Sequence, residues 1–545
     1  MELTITRRQC IATVIGFFLL TLGIYASSLG NDFVYYDDPY LILANGAIQS
    51  ISPSTLFTIF STYDPELYIP LTLLTYQFDW LLGGGAPFMF HLSNLLLHTA
   101  NALLVSWFIL LLSRRKGIAL LCGLLFAVHP LHTEVVAWAS ARKDLLFSFF
   151  YLLSVVSYLA KSKRLSVVTF ACALLSKVTA ITLPFVLLLL DWRNGKTIDR
   201  KNLQEKLPYF GFAFLFSVIA LFGKTETVGS TTLLQTMLMA CKSTVFYLQK
   251  LVIPTELSVI YPYTEAISIQ SMDFALPLMI VLLLLGLMVF YRKKDKEVTF
   301  GILFFFITLA PTYMSFVKGE NFSEFFFASD RYAYLPSIGF FYVLILLIAR
   351  LKIPALVQKG VVLVLIGILS MLASQQSAIW LHSGSLFQNV LIHYNNSHLA
   401  HNTLGAVYAE YGATDDALVR FRRSISIRPT PRAYYNIGLL EYKNGNDSFA
   451  IKANENAIAL KPDYAAAYIN LGVIHWENNE RTKAIGYMRN AVEITPNDPD
   501  AVINLAAMLA DFQQKEAAAI LIEKILKTDP TNEHALAVAK KILGN

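Results

Sequence analysis

The stretch CIATVIGFFLLTLGIYASSLGNDFVYYDDPYL (10–41) decides the fold. An uncharged run ends at about Leu29, and two adjacent carboxylates, Asp37 and Asp38, follow it closely. Such a run is long enough for a helix to cross the hydrocarbon layer of a bilayer. Charge is costly inside that layer, so the acids mark the place where the chain has left it. The run follows Arg7 and Arg8 and lacks a small-residue cleavage pattern, which makes it a retained first span.

The rest of the chain extends this reading. Of 545 residues, 55% are hydrophobic and 15% charged, where a soluble protein carries roughly 25% charged residues. Apolar runs recur to about residue 377, so this is a polytopic membrane protein with a different C-terminal part. The net charge of +6 is no nucleic-acid signature, because Lys and Arg cluster in short loops between apolar runs. The cysteines Cys10, Cys122, Cys172 and Cys241 lie in apolar or amphipathic segments and read as small buried side chains. Spans are predicted near 10–29, 91–113, 117–131, 144–160, 165–176, 178–190, 207–223, 274–291, 298–316, 335–349 and 354–377. The segment 231–251 holds Gln235, Lys242 and Gln249 and reads as interfacial or re-entrant. With eleven spans the basic loops all fall on one side, which positive-inside counting makes the cytoplasm. The N-terminus is then cytoplasmic and the C-terminus extracytoplasmic. A bacterial inner membrane is expected, although the endoplasmic reticulum gives the same signals. Four loops go to the outer face (30–90, 129–143, 223–273 and 317–334) and carry most of the unusual polar residues, Glu320 and Glu324 among them.

From His398 the composition turns polar and a period of 33 to 34 residues sets in. Leu404, Gly405, Ala417 and Pro429 are followed at matching offsets by Ile437, Gly438, Ala450 and Pro462, then by Leu471, Gly472, Ala484 and Pro496. A weaker copy has Leu505, Ala506, Ala518 and Pro530. This resembles the tetratricopeptide pattern of paired antiparallel helices. The predicted fold class is all-α: a membrane helical bundle followed by an α-solenoid. The expected domains are 1–380, a linker over 381–397, and an extracytoplasmic repeat domain over 398–545 with four repeats and a capping helix.

Three constellations carry chemistry. Asp37 and Asp38 are candidate catalytic acids, against the plain alternative of a turn before Pro39. HPLHTEVVAWASARKDLL (129–146) gathers His129, His132, Glu134, Arg142, Lys143 and Asp144, against the alternative of interfacial anchoring. Its His and Glu spacing matches no zinc pattern, so a structural metal is disfavoured and a catalytic divalent ion is left open. In SDRYAYLPSIGFF (329–341) Arg331 could bind a lipid phosphate, because a guanidinium presents paired donors to phosphate oxygens. The alternative there is an interface anchor with Tyr332 and Tyr334. One mechanism uses all three. Transfer of a sugar from a polyprenyl phosphate to a hydroxyl needs a carboxylate base at the membrane edge and cations for the departing phosphate.

The chain resembles the transmembrane and tetratricopeptide-repeat protein O-mannosyltransferases, with the C-type glycosyltransferase fold. The resemblance rests on FVYYDDPYLI (33–42), YIPLTLLTYQFDWLLGGGAPFMFHLSNLLLHTANALLV (68–105), HPLHTEVVAWASARKDLL, LSKVTAITLPFVLLLLDW (175–192), IPTELSVIYPY (253–263) and DRYAYLPSIGF (330–340), in that order. It implies an inverting transferase that moves mannose or another hexose from a polyprenyl-phosphate donor to Ser or Thr hydroxyls. By this resemblance Asp37 is the base and Asp38 its support, and Glu134 is the second-loop acid. Arg142 and Asp144 match a Gly-Arg-Ala-Asp segment that here reads Ala-Arg-Lys-Asp. Arg331 matches the arginine of a Glu-Arg-Tyr-Leu-Tyr-Leu-Pro run, here with Asp330 before it. Where the family commonly has Arg-Pro-Leu, this chain has Ile69-Pro70-Leu71, which bears on how the sugar is held. Donor-phosphate contacts are expected from Arg331, Arg142, Lys143, His129 and His132. Acceptor contacts are expected from Asn402, Asn436, Asn470 and Asn504, which recur at one repeat position; the alternative is that they bridge neighbouring helices. The expected partners are the polyprenyl-phosphate sugar, an acceptor protein and membrane lipids, with no nucleic acid. Two rival readings are a membrane-anchored peptide-binding scaffold and a transferase acting on lipid or polysaccharide.

Overall fold

The computed structural model describes residues 6–64, 67–223, 232–263, 265–316, 325–351 and 353–543; Glu320 and Glu324 lie outside them. Among the described residues the one β-pairing is two residues long, Pro262–Tyr263 antiparallel to Phe325–Phe326, so the fold is all-α. The chain divides into two units, Met1–Asn395 and Asn396–Asn545.

In the first unit every predicted span coincides with a helix: Arg7–Tyr25, Pro87–Ser113, Lys116–Val128, Arg142–Leu159, Lys163–Ser176, Leu183–Arg193, Leu207–Phe222, Met272–Tyr291, Lys296–Leu309, Ser337–Ile348 and Ala355–Ala378. Helix position and membrane crossing are separate matters. Among the described residues, four helices are long and apolar enough to cross by themselves: Arg7–Gly30, Pro87–Ser113, Met272–Tyr291 and Leu356–Ala378. A fifth is added if Lys116–Val128 and Pro130–Ala137, bent by 58°, count as one span. The protein is therefore a membrane protein. The amphipathic segment 231–251 forms the helix Leu233–Val252, whose N-terminus is closed by reciprocal bonds between Thr232 and Gln235.

Two stretches depart from the sequence expectation. The stretch 30–90, expected as an outer loop, contains the helices Pro53–Ser61 and Pro70–Gly83. The second starts on a proline and ends at Gly84 in the left-handed region (φ 61°). At 14 residues it is too short to cross, so span length could not reveal it. The expected linker 381–397 is instead largely helical, over Ser383–His393, and buries Leu386, Phe387 and Val390. It is pinned to the acid-bearing loop, because Asp32 N donates to Leu381 O at 2.9 Å and Tyr35 N to Ser383 Oγ at 2.9 Å. Three buried apolar side chains at helical spacing account for the helix.

The second unit is four helix pairs and a final helix. The pairs are His398–Glu410 with Thr414–Ile427, Pro431–Lys443 with Asp447–Leu460, Ala465–Glu477 with Arg481–Ile494, and Pro499–Asp511 with Lys515–Thr528; Glu533–Leu543 closes the series. The small residues at matching offsets are the reason the pairs close. Ala417, Ala450, Ala484 and Ala518 are fully buried, and a Cβ on Gly405 would stand 2.7 Å from the Phe421 ring. These are tetratricopeptide repeats, and together with the helical membrane unit they give the fold class expected from the sequence.

Backbone contact also governs the first unit. Gly301 on Lys296–Leu309 faces Gly339 on Ser337–Ile348. A Cβ on Gly339 would collide with the Gly301 carbonyl oxygen and lie 2.9 Å from Phe305 N. Neither neighbour is a movable side chain, which is the small-residue packing that lets membrane helices approach closely. Gly339→Ala is expected to cost on the order of 1–3 kcal/mol, the usual range for overpacking. It should lower the melting temperature in detergent, whereas Gly16→Ala, with nothing within 4 Å of its Cβ, should not.

Candidate active site

The adjacent acids occupy different environments. Asp38 is fully buried. Its Oδ2 accepts from Val34 N at 2.8 Å, and its Oδ1 accepts from Ser140 N at 3.0 Å and from the Ser140 hydroxyl. Burial pushes its carboxyl up to about 6, with the Ser140 and Val34 bonds limiting the rise. Asp37 is only half-buried, and Lys143 Nζ lies 2.9 Å from its Oδ2. Burial acts upward on Asp37 too, but Lys143, with Arg331 and Lys177 beyond it, outweighs burial and holds the carboxyl below its ordinary range. One acid is sealed and saturated with donors; its neighbour is ionised and accessible.

The second loop folds as three short turns, Pro130–His132, Thr133–Ala137 and Ala139–Ala141, ahead of the helix Arg142–Leu159. They bring Glu134 against Arg331: the guanidinium pairs with Glu134 Oε1, and Arg331 N donates to Oε2 at 3.2 Å. The Trp138 ring takes Lys143 Nζ at 5.4 Å and the Arg331 guanidinium at 5.3 Å and stacks on Trp380 at 5.8 Å. Lys143 and Arg331, each with its acid partner Asp37 or Glu134, thus share one tryptophan, and Asp38 is held two residues further along at Ser140. Asp330, beside them in sequence, accepts from Tyr261 OH at 2.7 Å. Burial, then the Glu134 charge, hold its carboxyl well above the ordinary range.

Three expected phosphate contacts are placed otherwise. Arg142 is buried, with Nη2 2.7 Å from Asp79 Oδ2 and 2.7 Å from Phe90 O. Its Nε donates to Asn94 Oδ1 and its Nη1 to Thr75 Oγ1 at 3.3 Å. This guanidinium ties the helices Pro70–Gly83 and Pro87–Ser113 to the start of Arg142–Leu159, and its donors are directed at protein acceptors rather than at the Asp37 cluster. His129 and His132 are core side chains rather than phosphate contacts. His129 Nε2 pairs with Leu251 O at 3.2 Å, while His132 pairs with Phe126 O at 2.8 Å and Ser337 Oγ at 3.0 Å. Among the described residues, no group of three or more His, Cys, Asp or Glu is arranged to hold a metal ion.

The structure adds one cation to the site. Lys177 Nζ lies 2.6 Å from Asp144 Oδ1 and 5.6 Å from the Tyr332 ring, which also carries the Arg331 guanidinium at 5.0 Å. The available signal was a lone lysine inside the apolar stretch 165–190.

In the repeats, Asn436 Nδ2 donates to Asn402 Oδ1 at 3.1 Å, and Asn470 Nδ2 to Asn454 Oδ1 at 3.4 Å. Asn402 is buried and Asn504 exposed. These bonds fit the alternative in which the recurrent amides bridge neighbouring helices.

Fold and site together define a polytopic membrane protein with a paired acid–base cluster and a tetratricopeptide-repeat domain. A model of the tetratricopeptide repeat family matches residues 435–499. Protein O-mannosyl-transferase Tmtc2 of Drosophila melanogaster is 33% identical over 221 residues, 36% of this chain and 23% of that protein. Human TMTC4 is 38% identical over 156 residues, 25% of this chain and 21% of that protein. Human TMTC1 is 24% identical over 512 residues, 76% of this chain and 55% of that protein. Among solved structures, the crystal structure of MamA is 22% identical, covers 30% of this chain and 90% of that one, and has a TM-score of 0.24. The chain is a relative of the transmembrane and tetratricopeptide-repeat protein O-mannosyltransferases. It spans between 21% and 55% of the length of these relatives.

Two expectations follow from the burial of charge. With its native value raised to about 6, Asp38 binds a proton more tightly in the folded state than in the unfolded one, whose value is near 3.8. The stability this contributes is complete below the unfolded value and is lost as pH rises through the folded one. The wild-type advantage over Asp38→Asn should therefore shrink between pH 4 and pH 7, by on the order of 3 kcal/mol, as followed by denaturation in detergent. Arg142→Ala leaves Asp79 buried and unpaired and should cost about 3–5 kcal/mol. Lys143→Ala leaves only a half-exposed Asp37 and should stay folded. Gel filtration of the solubilised variants separates the two.

Proposed function

We propose that this protein is an inverting glycosyltransferase that moves a hexose, mannose foremost, from a polyprenyl phosphate to Ser or Thr hydroxyls of proteins. The reaction is placed at the extracytoplasmic edge of a bundle of about eleven spans, with the bacterial inner membrane as its setting. The observation that carries the reading is the asymmetry of the acidic pair. Asp37 is ionised, half-exposed and held by Lys143, which suits a general base. Asp38, saturated with donors and fully buried, suits a support that fixes the backbone of its neighbour.

In the step itself the acceptor hydroxyl gives its proton to Asp37, and its oxygen bonds to the anomeric carbon from the side opposite the phosphate. The bond from carbon to phosphate oxygen breaks, the electron pair stays on that oxygen, and the configuration inverts. Arg331, oriented by Glu134, offsets charge on the departing phosphate, with Lys143 alongside. This charge balance routes no step through a metal ion. The names of the relatives support a protein acceptor and mannose; Ile69, standing where the family commonly has arginine, is the reason other hexoses stay in the proposal. The repeats are assigned to acceptor recruitment. Because Asn402, Asn436 and Asn470 bond within the array, the proposed peptide contact falls first on exposed Asn504.

The test is transfer by the purified full chain, with prenyl-phosphate mannose as donor and a Ser- and Thr-containing peptide as acceptor, read as hexose mass on the peptide. Asp37→Asn should lose roughly 10²–10⁴-fold in rate, the usual contribution of a general base, while eluting as wild type. Undiminished transfer by that variant would refute the assignment. Loss in Asp38→Asn alone would exchange the two roles, and no transfer by wild type would return the scaffold reading.

A further inference from the structure

Beside the pairs used in that step stands a further buried pair, Lys177 with Asp144. Lys177 stands at the break between the helices Lys163–Ser176 and Leu183–Arg193, in extended backbone (φ −163°, ψ 132°) ahead of the turn Val178–Thr182. Its side chain is 11% exposed and that of Asp144 is 3% exposed. A buried pair of this kind seldom adds net stability, because desolvation of both ions opposes their attraction.

Its placement is informative. The Tyr332 ring carries Lys177 and Arg331, and the Trp138 ring carries Arg331 and Lys143. Three pairs, Asp37 with Lys143, Glu134 with Arg331 and Asp144 with Lys177, thus form one series bridged by two aromatic rings. The charge of Lys177 reaches Asp37. An ammonium has three donors, and Asp144 Oδ1 takes one of them. Asp144 Oδ2 is buried and has no hydrogen-bond partner among the described residues, so the carboxylate is held at one oxygen only. By contrast, Arg331 meets both oxygens of Glu134 and Lys143 serves the base.

We propose that Lys177 is a catalytic residue of the same site that donates to the phosphate of a prenyl-phosphate sugar, and that Asp144 is its positioning residue. The inference rests on the function proposed above and names the part of the donor that is recognised: a phosphate carried on the lipid. As the new bond to the anomeric carbon forms and the old one breaks, the electron pair moves onto phosphate oxygen. The phosphate goes from one negative charge to two, the hydroxyl proton goes to Asp37, and Lys177 keeps its own protons. The contact is therefore stronger in the transition state than in the bound donor, which is the condition for lowering the barrier.

Binding can be tested without turnover. Short-chain prenyl phosphate, the matching prenol and inorganic phosphate are titrated calorimetrically into the full chain in detergent. Lys177→Gln should weaken prenyl phosphate binding at least about tenfold, the effect of losing one charged hydrogen bond. Lys177→Arg should recover most of it, and prenol binding should not change. In transfer assays Lys177→Gln should lower kcat more than it raises the donor KM, a split that a merely structural role would not produce. Prenyl phosphate binding by Lys177→Gln equal to wild type would overturn the inference and leave the proposed function standing. Wild type binding inorganic phosphate as tightly as prenyl phosphate would overturn the lipid-borne part. Wild type binding neither phosphate would overturn both the inference and the donor class. If Lys177→Gln does not elute as a folded protein, Asp144→Asn decides: weaker prenyl phosphate binding supports the inference, and unchanged binding overturns it.

Discussion

Every cation at the rim of this helical bundle has to be answered within hydrogen-bond distance, because neither ion of a pair can be left bare where water is scarce. That constraint organises the first unit. Lys143 answers Asp37, Arg331 answers Glu134, Lys177 answers Asp144, and Arg142 answers Asp79. No pair lies within one helix. Each joins segments far apart in sequence: the loop after the first span, the helix Pro70–Gly83, the turns after His129, the break at Lys177 and the turn Asp330–Ala333. The same contacts that make charge tolerable therefore set the relative positions of the loops, and the candidate site is a consequence of that bracing.

Within this frame the Asp37–Asp38 pair has two outcomes. Two carboxylates side by side repel, and the structure resolves this by giving them different surroundings. Asp38 takes three donors and full burial; Asp37 takes one ammonium and keeps a face open. A general base needs a free lone pair and an accessible position, and only Asp37 combines them. The loop is fixed from the other end of the unit as well, since Leu381 and Ser383 bind its backbone. A stretch that reads as a linker is thereby part of the support for the acid-bearing loop.

Length and periodicity carried much of this into the sequence, and contact carried the rest. The helix positions of the membrane unit were legible because apolar runs separated by basic loops have few other solutions. The repeats were legible because Gly405, Gly438 and Gly472 recur where a side chain would strike the facing helix. The acids at positions 37, 38 and 134 were legible as charge at an apolar edge. What stayed hidden depends on partners distant in sequence. His129 and His132 look like ligands by composition, but their ring nitrogens meet a backbone carbonyl, and for His132 also a hydroxyl, from other helices. The recurrent asparagines look like a peptide clamp until Asn436 is seen to bond Asn402. Lys177 stays hidden because its partner, Asp144, is brought to it only by the fold.

Arg142 and Lys143 show why residue type alone could not settle the site. Both are cations, they are neighbours, and both seemed suited to phosphate. They open the helix Arg142–Leu159, where consecutive side chains diverge by about 100° around the axis. One direction leads into the bundle, where Asp79, Asn94 and the Phe90 carbonyl are waiting. The other leads to Asp37 and the face of Trp138. The inward residue gains from a planar fork of donors that meets several fixed acceptors at once, which arginine has and lysine lacks. The outward residue needs a compact charge on a flexible stem, able to hold Asp37 without filling its remaining lone pairs. Structure and site thus draw on adjacent, buried residues of one helix turn, and the order arginine then lysine assigns the rigid task to the side chain among several fixed acceptors and the yielding task to the one that meets Asp37.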